Sequence, residues 1–124
     1  MLSPAQVVAV RRLHEKMYDG KCTVIEYQKK KKADQSTGFE EVEVLKDQPC
    51  RLSFSTSESA DSGAAATGIG QVIKLFLSPD VAIKAGSKIM VTQNGIRAAY
   101  KNSGVPAVYA THQEIVLELF TRWA

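Results

Sequence analysis

From Ser55 to Gly70 the chain carries Ser, Thr, Glu, Ala, Asp and Gly with Ile69 as the one large apolar side chain, which limits what any fold can do with this stretch. Burial that small does not offset the entropy of ordering a backbone, so the segment reads as a long flexible loop over about 55–70. Long loops of this kind inside a compact domain are functional or disordered, and this one holds no cluster suited to chemistry. Its expected use is contact with a neighbour, through Glu58, Asp61, Gly63, Thr67 and Gly68. The ordered fold must then come from the two blocks on either side of it.

The first block opens with a helix, expected over about 4–18. Ser3 can cap it, Pro4 suits the first helical position and Gln6 falls where a capping box closes. Val7, Val10, Leu13, His14 and Met17 recur at three- and four-residue spacing, a stripe that would pack on the body, and Asp19-Gly20 offers a left-handed end. From Cys22 the period changes to two. Cys22, Val24 and Glu26 point one way and Thr23, Ile25 and Tyr27 the other, which makes the first strand. Gln28 through Gly38, with Lys29, Lys30, Lys31 and Lys32, has no large apolar residue and reads as a solvated hairpin or mobile loop. A second strand begins near Phe39 with Val42 and Val44 on one face. Lys46-Asp47-Gln48-Pro49 is read as a turn, and Cys50, Leu52 and Phe54 then face inward on a third.

The second block is richer in β signals. Gln71 to Ser78 is nearly all apolar apart from Lys74, as in a strand covered on both faces. Ala85-Gly86-Ser87 is a turn, Lys88 to Gln93 a strand, and Asn94-Gly95 predicts a two-residue hairpin into Ile96 through Lys101, because both central positions favour positive φ. Asn102-Ser103-Gly104 turns the chain into Val105 through Ala110, where Pro106 favours an edge. The final segment fits either period. Its β-branched and aromatic residues, from Ile115 to Trp123, favour a strand. The fold class is therefore mainly β, a small antiparallel β-barrel or sandwich of seven to nine short strands at spacings of about 8 to 12 residues, with one N-terminal helix.

Length and composition narrow the function. A chain of 124 residues is one domain spanning 1–124 by length. Its 16 basic and 13 acidic residues give a net charge of +3, too little to build a whole surface for a polyanion. No leader-like or membrane-spanning run of roughly 18 apolar residues is read, which points to the cytosol. Cys22 and Cys50 form no CxxC motif and are read as half-buried thiols. With His14 and His112 they are the soft ligands available, at spacings that organise no metal site. His14 reads as an interface histidine and His112 as the start of a strand. Glu40, Glu41 and Glu43 read as exposed carboxylates without a general-acid role. Gly68-Ile69-Gly70 precedes a strand and opens no helix, so it is no phosphate loop. No catalytic residue, metal or cofactor is expected. The lysine run is read first as a soluble tip and second as a phosphate contact.

Three stretches, Gln48 to Phe54, Phe76 to Ile89 and Tyr109 to Trp123, carry a resemblance, joined by the first helix with Leu13 and Tyr18 and by Cys22 to Tyr27. Together they resemble the head-closure proteins, also called head-tail connector or neck proteins, of tailed siphophages and defective prophages. The resemblance covers most of the chain and transfers no catalytic residue. It implies a non-enzymatic structural virion protein: a β-barrel with an appended helix that self-associates as a dodecameric ring beneath the portal and its adaptor. Such a ring closes the capsid DNA exit channel and docks a tail-completion protein. Assembly would take place in the bacterial host cytoplasm and the mature location would be the virion neck, with no membrane partner. A mobile loop in such proteins reaches a neighbouring subunit or the channel, and the segment from Ser55 to Gly70 is the match. The lysines Lys29 to Lys32 would face an acidic neighbour or packaged DNA.

Another class stays open beside this one, a small nucleic-acid-binding barrel of oligonucleotide-binding type. Aromatic residues are 7% of the chain, and stacking platforms drawn from Tyr18, Tyr27, Tyr100 and Tyr109 share no evident sheet face. A small hydrolase is disfavoured for want of a nucleophile paired with a base.

Overall fold

Ser3 and Gln6 close the capping box that starts α1 (Pro4–Lys16): the Ser3 N–H donates to Gln6 Oε1 at 2.8 Å and the Gln6 N–H to Ser3 Oγ at 3.2 Å. The computed structural model describes residues 1–34, 36–58 and 69–123. The helix ends earlier than expected, at Lys16, and Met17 closes it with an ordinary φ of −89°. Gly20 is buried as the first residue of a strand and gives no left-handed cap. The face turned to the sheet also differs. Val7, Val10, Arg11 and His14 are half-buried, whereas Leu13 and Met17 are 60% and 53% exposed. Polar contacts set this rotation: Arg11 Nε donates to the Ala110 carbonyl at 2.8 Å and Arg11 Nη1 to Asp80 at 3.0 Å.

Among the described residues seven strands follow: β1 (Gly20–Lys31), β2 (Thr37–Glu58), β3 (Ile69–Leu77), β4 (Lys88–Gln93), β5 (Ile96–Asn102), β6 (Ala107–Val108) and β7 (Gln113–Leu119). The mainly β class holds. All pairings are antiparallel in the order β3-β2-β1-β4-β5-β7-β6, and β3 also pairs with β7, so six strands join into a ring with β6 outside it. Val24, Leu75, Leu77, Ile89, Val91 and Ile115 fill its interior, each 1% exposed or less. Each such side chain contributes about 2 kcal/mol by leaving water. β3 alternates more than expected, with Ile73, Leu75 and Leu77 buried and Val72, Lys74 and Phe76 half-buried on the outer face.

The expected turn at Lys46 to Pro49 does not form. β2 runs through it as one strand, and two irregularities absorb the change of phase. Between Cys22↔Gln48 and Val24↔Leu45, two steps along β1 oppose three along β2; between Val24↔Leu45 and Ile25↔Glu43, one opposes two. Asp47 takes a positive φ of 51° there, a conformation that Asp tolerates better than most residues. The slip leaves Val44 exposed and carries Leu45 toward the core instead. At Cys50 the strand changes partners, from β1 to β3. Phe54, expected inside, is 51% exposed, because the ring has already begun to open at its level.

Strand pairing also narrows the expected loop. Ser55 to Glu58 pair with Val72 to Ile69, so the ladder persists into both flanks, and residues 59–68 lie outside the described part. Lys29, Lys30 and Lys31 likewise belong to β1, opposite Phe39, Gly38 and Thr37. Asn94 and Gly95 adopt φ of 53° and 75°, the hairpin geometry the sequence predicts.

Ser78 to Ser87 crosses the bottom of the ring without strand structure and is tied down by two buried amides. Gln113 Nε2 donates to the carbonyls of Ser78 and Val81 at 2.7 and 2.5 Å. Asn102 Nδ2 reaches those of Ile83 and Lys84, both at 3.3 Å. Ile83 thereby seats in the core, 8% exposed.

Candidate functional site

β4 pairs with β1 only from Lys21 to Ile25, so Glu26 to Lys31 and their β2 partners form a two-stranded arm. Along β1 the outward series continues from Thr23 and Ile25 through Tyr27, Lys29 and Lys31, while Glu41 and Phe39 stand opposite Tyr27 and Lys29 on β2. Tyr27 stacks on Phe39, with centroids 5.2 Å apart and planes at 19°, and on Trp123 at 4.8 Å and 5°. Trp123 Nε1 donates to Glu41 at 3.0 Å, and Lys88 Nζ donates to the same carboxylate oxygen at 3.2 Å. These hydrogen bonds, that of Trp123 first, hold the Glu41 carboxyl below its usual range. Lys88 also lies 4.9 Å over the Phe120 ring, whose edge meets Trp123 at 5.0 Å. Trp123 is thus fastened to the arm.

Between the arm and the 84–87 turn lies a cleft of about 570 Å³. Tyr27, Phe39 and Trp123 line it, together with Lys29, Lys84, Lys101 and Arg122, and Glu26 is its sole acidic lining residue. Lys84 stands 3.9 Å from Glu26, while Lys29, Lys101 and Arg122 have no carboxylate within 4.0 Å among the described residues. Of the tyrosines weighed as stacking platforms, Tyr27 alone lines this cleft; Phe39 and Trp123, which that weighing left out, complete the platform, and the lysines expected in a loop lie on β1. Of the lysine run, Lys29 lines this cleft, and Lys30 pairs with Glu40 at 3.1 Å on the opposite face. Lys31 ends the strand, and the Lys32 N–H bonds Ser36 in the turn.

The helix docks through aromatic rings. His112 stacks on His14 at 4.7 Å and on Tyr109 at 4.9 Å, with Phe76 tilted at 6.0 Å. Thr111 Oγ1 lies 3.1 Å from His112 Nδ1, and His112 Nε2 lies 2.8 Å from Glu114. The His112 hydrogen bond keeps the Glu114 carboxyl below its ordinary value, with burial opposing it and Lys74 assisting. Hydroxyl, imidazole and carboxylate stand in the order of an acyl-transfer relay, which sequence reasoning missed. The rings of His14 and Tyr109 stack on the imidazole, and His14 joins α1 to the group. Burial raises the Tyr18 phenol, whose hydroxyl has no hydrogen-bond partner among the described residues.

A second surface lies where the ring opens. β7 pairs with β3 as far as Leu117↔Ile73 and with β5 from Asn102 to Tyr100, so the far edges of Ile69–Val72 and Ile96–Ala98 are unpaired among the described residues. Gln93 spans part of the opening. Its Oε1 accepts from the Leu52 N–H at 2.8 Å and its Nε2 donates to the Leu52 carbonyl at 3.2 Å, supplying the pairing that β1, which begins at Gly20, no longer provides. Phe54 and Ile96, 51% and 70% exposed, line a small apolar pocket beside it.

Of the loop residues singled out from sequence, Asp61, Gly63, Thr67 and Gly68 lie outside the described residues, and Glu58 ends β2 opposite Ile69. Cys22 and Cys50 are fully buried, not half-buried, and remain free thiols. A hydrogen bond with Cys22, then burial, pushes the Cys50 thiol far up. Among the described residues no group of three or more His, Cys, Asp or Glu could hold a metal ion.

No protein-family model and no curated protein matches the chain. One solved structure is similar in outline, the phage-like element PBSX protein xkdH from Bacillus subtilis, at 9% identity and a TM-score of 0.47. The match covers 80% of this chain and 91% of that one, a likeness too slight to carry an argument.

Proposed function

We propose that this chain is a structural protein of a tailed-phage or prophage particle, a head-tail connector subunit that closes the DNA exit channel and offers a tail its docking surface. The observation that carries the reading is the open end of the ring. Phe54 and Ile96 stand exposed there beside strand edges that are unpaired among the described residues, edges that a monomer would normally blunt and a neighbouring subunit would cover. The sequence resemblance from Gln48 to Phe54 runs into this same edge. Exposed Leu13 and Met17 on α1 supply a second apolar surface for an adaptor or tail-completion protein. β2 ends at Glu58 and β3 begins at Ile69 at this open end, and the contact expected of Asp61, Gly63, Thr67 and Gly68 is part of the same reading. The test is cosedimentation with DNA-filled, tailless capsids, scored for retained DNA and tail joining. Wild-type protein is expected to bind and retain DNA, and Phe54→Asp with Ile96→Asp to abolish both. Absence of binding by the wild type, or binding unaffected by the two substitutions, overturns the reading.

A further inference from the structure

The cleft beside the arm has a chemistry that a protein–protein role leaves unused. We propose that it takes a single strand of nucleic acid, one base extending the aromatic stack at Phe39 while phosphates meet Lys29, Lys101 and Arg122. Tyr27 is the ring shared by Phe39 and Trp123, and the near-parallel planes leave Phe39, 53% exposed, as the open end of the stack. A nucleobase presents the flat face that such an end accepts, whatever its sequence.

The cations point the same way. Lys88 and Lys101 are directly opposed across β4 and β5, an arrangement that costs stability unless anions intervene. Glu41 answers Lys88, whereas Lys101, opposite Glu118 on β7, has no carboxylate within 4.0 Å among the described residues. Lys29 stands directly across from Phe39, so cation and ring are interleaved across the strands although they are not interleaved along the chain. An acidic peptide would satisfy the charges and leave the ring face idle, which favours nucleic acid.

Trp123 is the single tryptophan, so its fluorescence reports on the stack directly. The full chain is titrated with oligothymidylate of about twelve nucleotides, a length within the usual range for one small barrel. A duplex, polyphosphate and polyglutamate serve as comparison ligands. Saturable quenching by oligothymidylate is expected, with an affinity that falls as salt rises, by a log–log slope of about −0.7 per phosphate neutralised. Phe39→Ala should weaken binding on the order of tenfold. Lys101→Gln should lower the salt slope by about 0.7. Phe39 is exposed, so its truncation leaves the core intact, and circular dichroism checks each variant. No saturable binding, equal affinity for polyphosphate, polyglutamate or duplex, or an unchanged Phe39→Ala each overturns the assignment. Capsid binding depends on the other end of the ring, so either proposal can fail while the other stands.

Discussion

Replacing Gln113 by Met keeps most of the side-chain volume and deletes one amide. That amide, 1% exposed, supplies donors to the carbonyls of Ser78 and Val81. The Val81 carbonyl left without a donor costs about 1–3 kcal/mol, the Ser78 carbonyl keeps the Val81 N–H and loses one bond worth about 1 kcal/mol, and the apolar replacement returns about 1 kcal/mol through burial. The net loss is about 1–3 kcal/mol, a fall in Tm on the order of 10 °C for a domain of this size. Urea unfolding monitored by Trp123 fluorescence measures it, with Gln28→Met on the exposed arm as a control expected within about 0.5 kcal/mol of wild type. Hydrogen exchange adds a local readout. The amides of Val81 and Ser87, whose turn bonds depend on this crossing, should exchange faster in Gln113→Met. A midpoint within about 0.5 kcal/mol of wild type would refute the reasoning, since a bottom crossing without strand pairing would then owe nothing to the amide.

Two further outcomes follow from the titratable groups. The Glu114 carboxyl is held below its ordinary 4.5, chiefly by His112, so its contribution to stability is present above that value and lost as pH falls through the lower folded value. Wild type should therefore exceed Glu114→Gln in urea midpoint at neutral pH and converge with it in acid; a gap that stays constant would sink the assignment. Cys22 and Cys50 should resist a water-soluble disulfide reagent in the native protein and both react in urea, and prompt labelling of either native thiol would contradict their burial.

The mainly β class, the helix start and the Asn94-Gly95 hairpin were legible because each depends on neighbours in sequence: a capping box, a period of two, a pair of residues that accept positive φ. What was illegible depends on register. The turn read at Lys46 to Pro49 is a slip within one long strand, and a slip follows from pairing with β1, which no local pattern announces. Val44 and Phe54 were misplaced for the same reason, one by the slip and one by the opening of the ring. The helix face was misjudged because Arg11, a charged residue, binds Ala110 and Asp80 from far along the chain. The aromatic cleft had a signal. Continuing the alternation of β1 through Lys29 and Lys31, then folding back at Asp34, places Phe39 beside Tyr27. Trp123 carried no such signal, because a tertiary contact alone brings the end of the chain there.

Two-stranded ribbons are marginal in water unless something braces them. Here the brace is the end of the same chain, since Trp123 lies on Tyr27 and bonds Glu41 from the far side of the sequence. Arm and tail therefore stabilise each other by equal amounts, as any pair of coupled equilibria must. A molecule that lifts Trp123 away loosens the arm, and one that stiffens the arm tightens the tail. Whichever end a partner reaches first, the other end registers it.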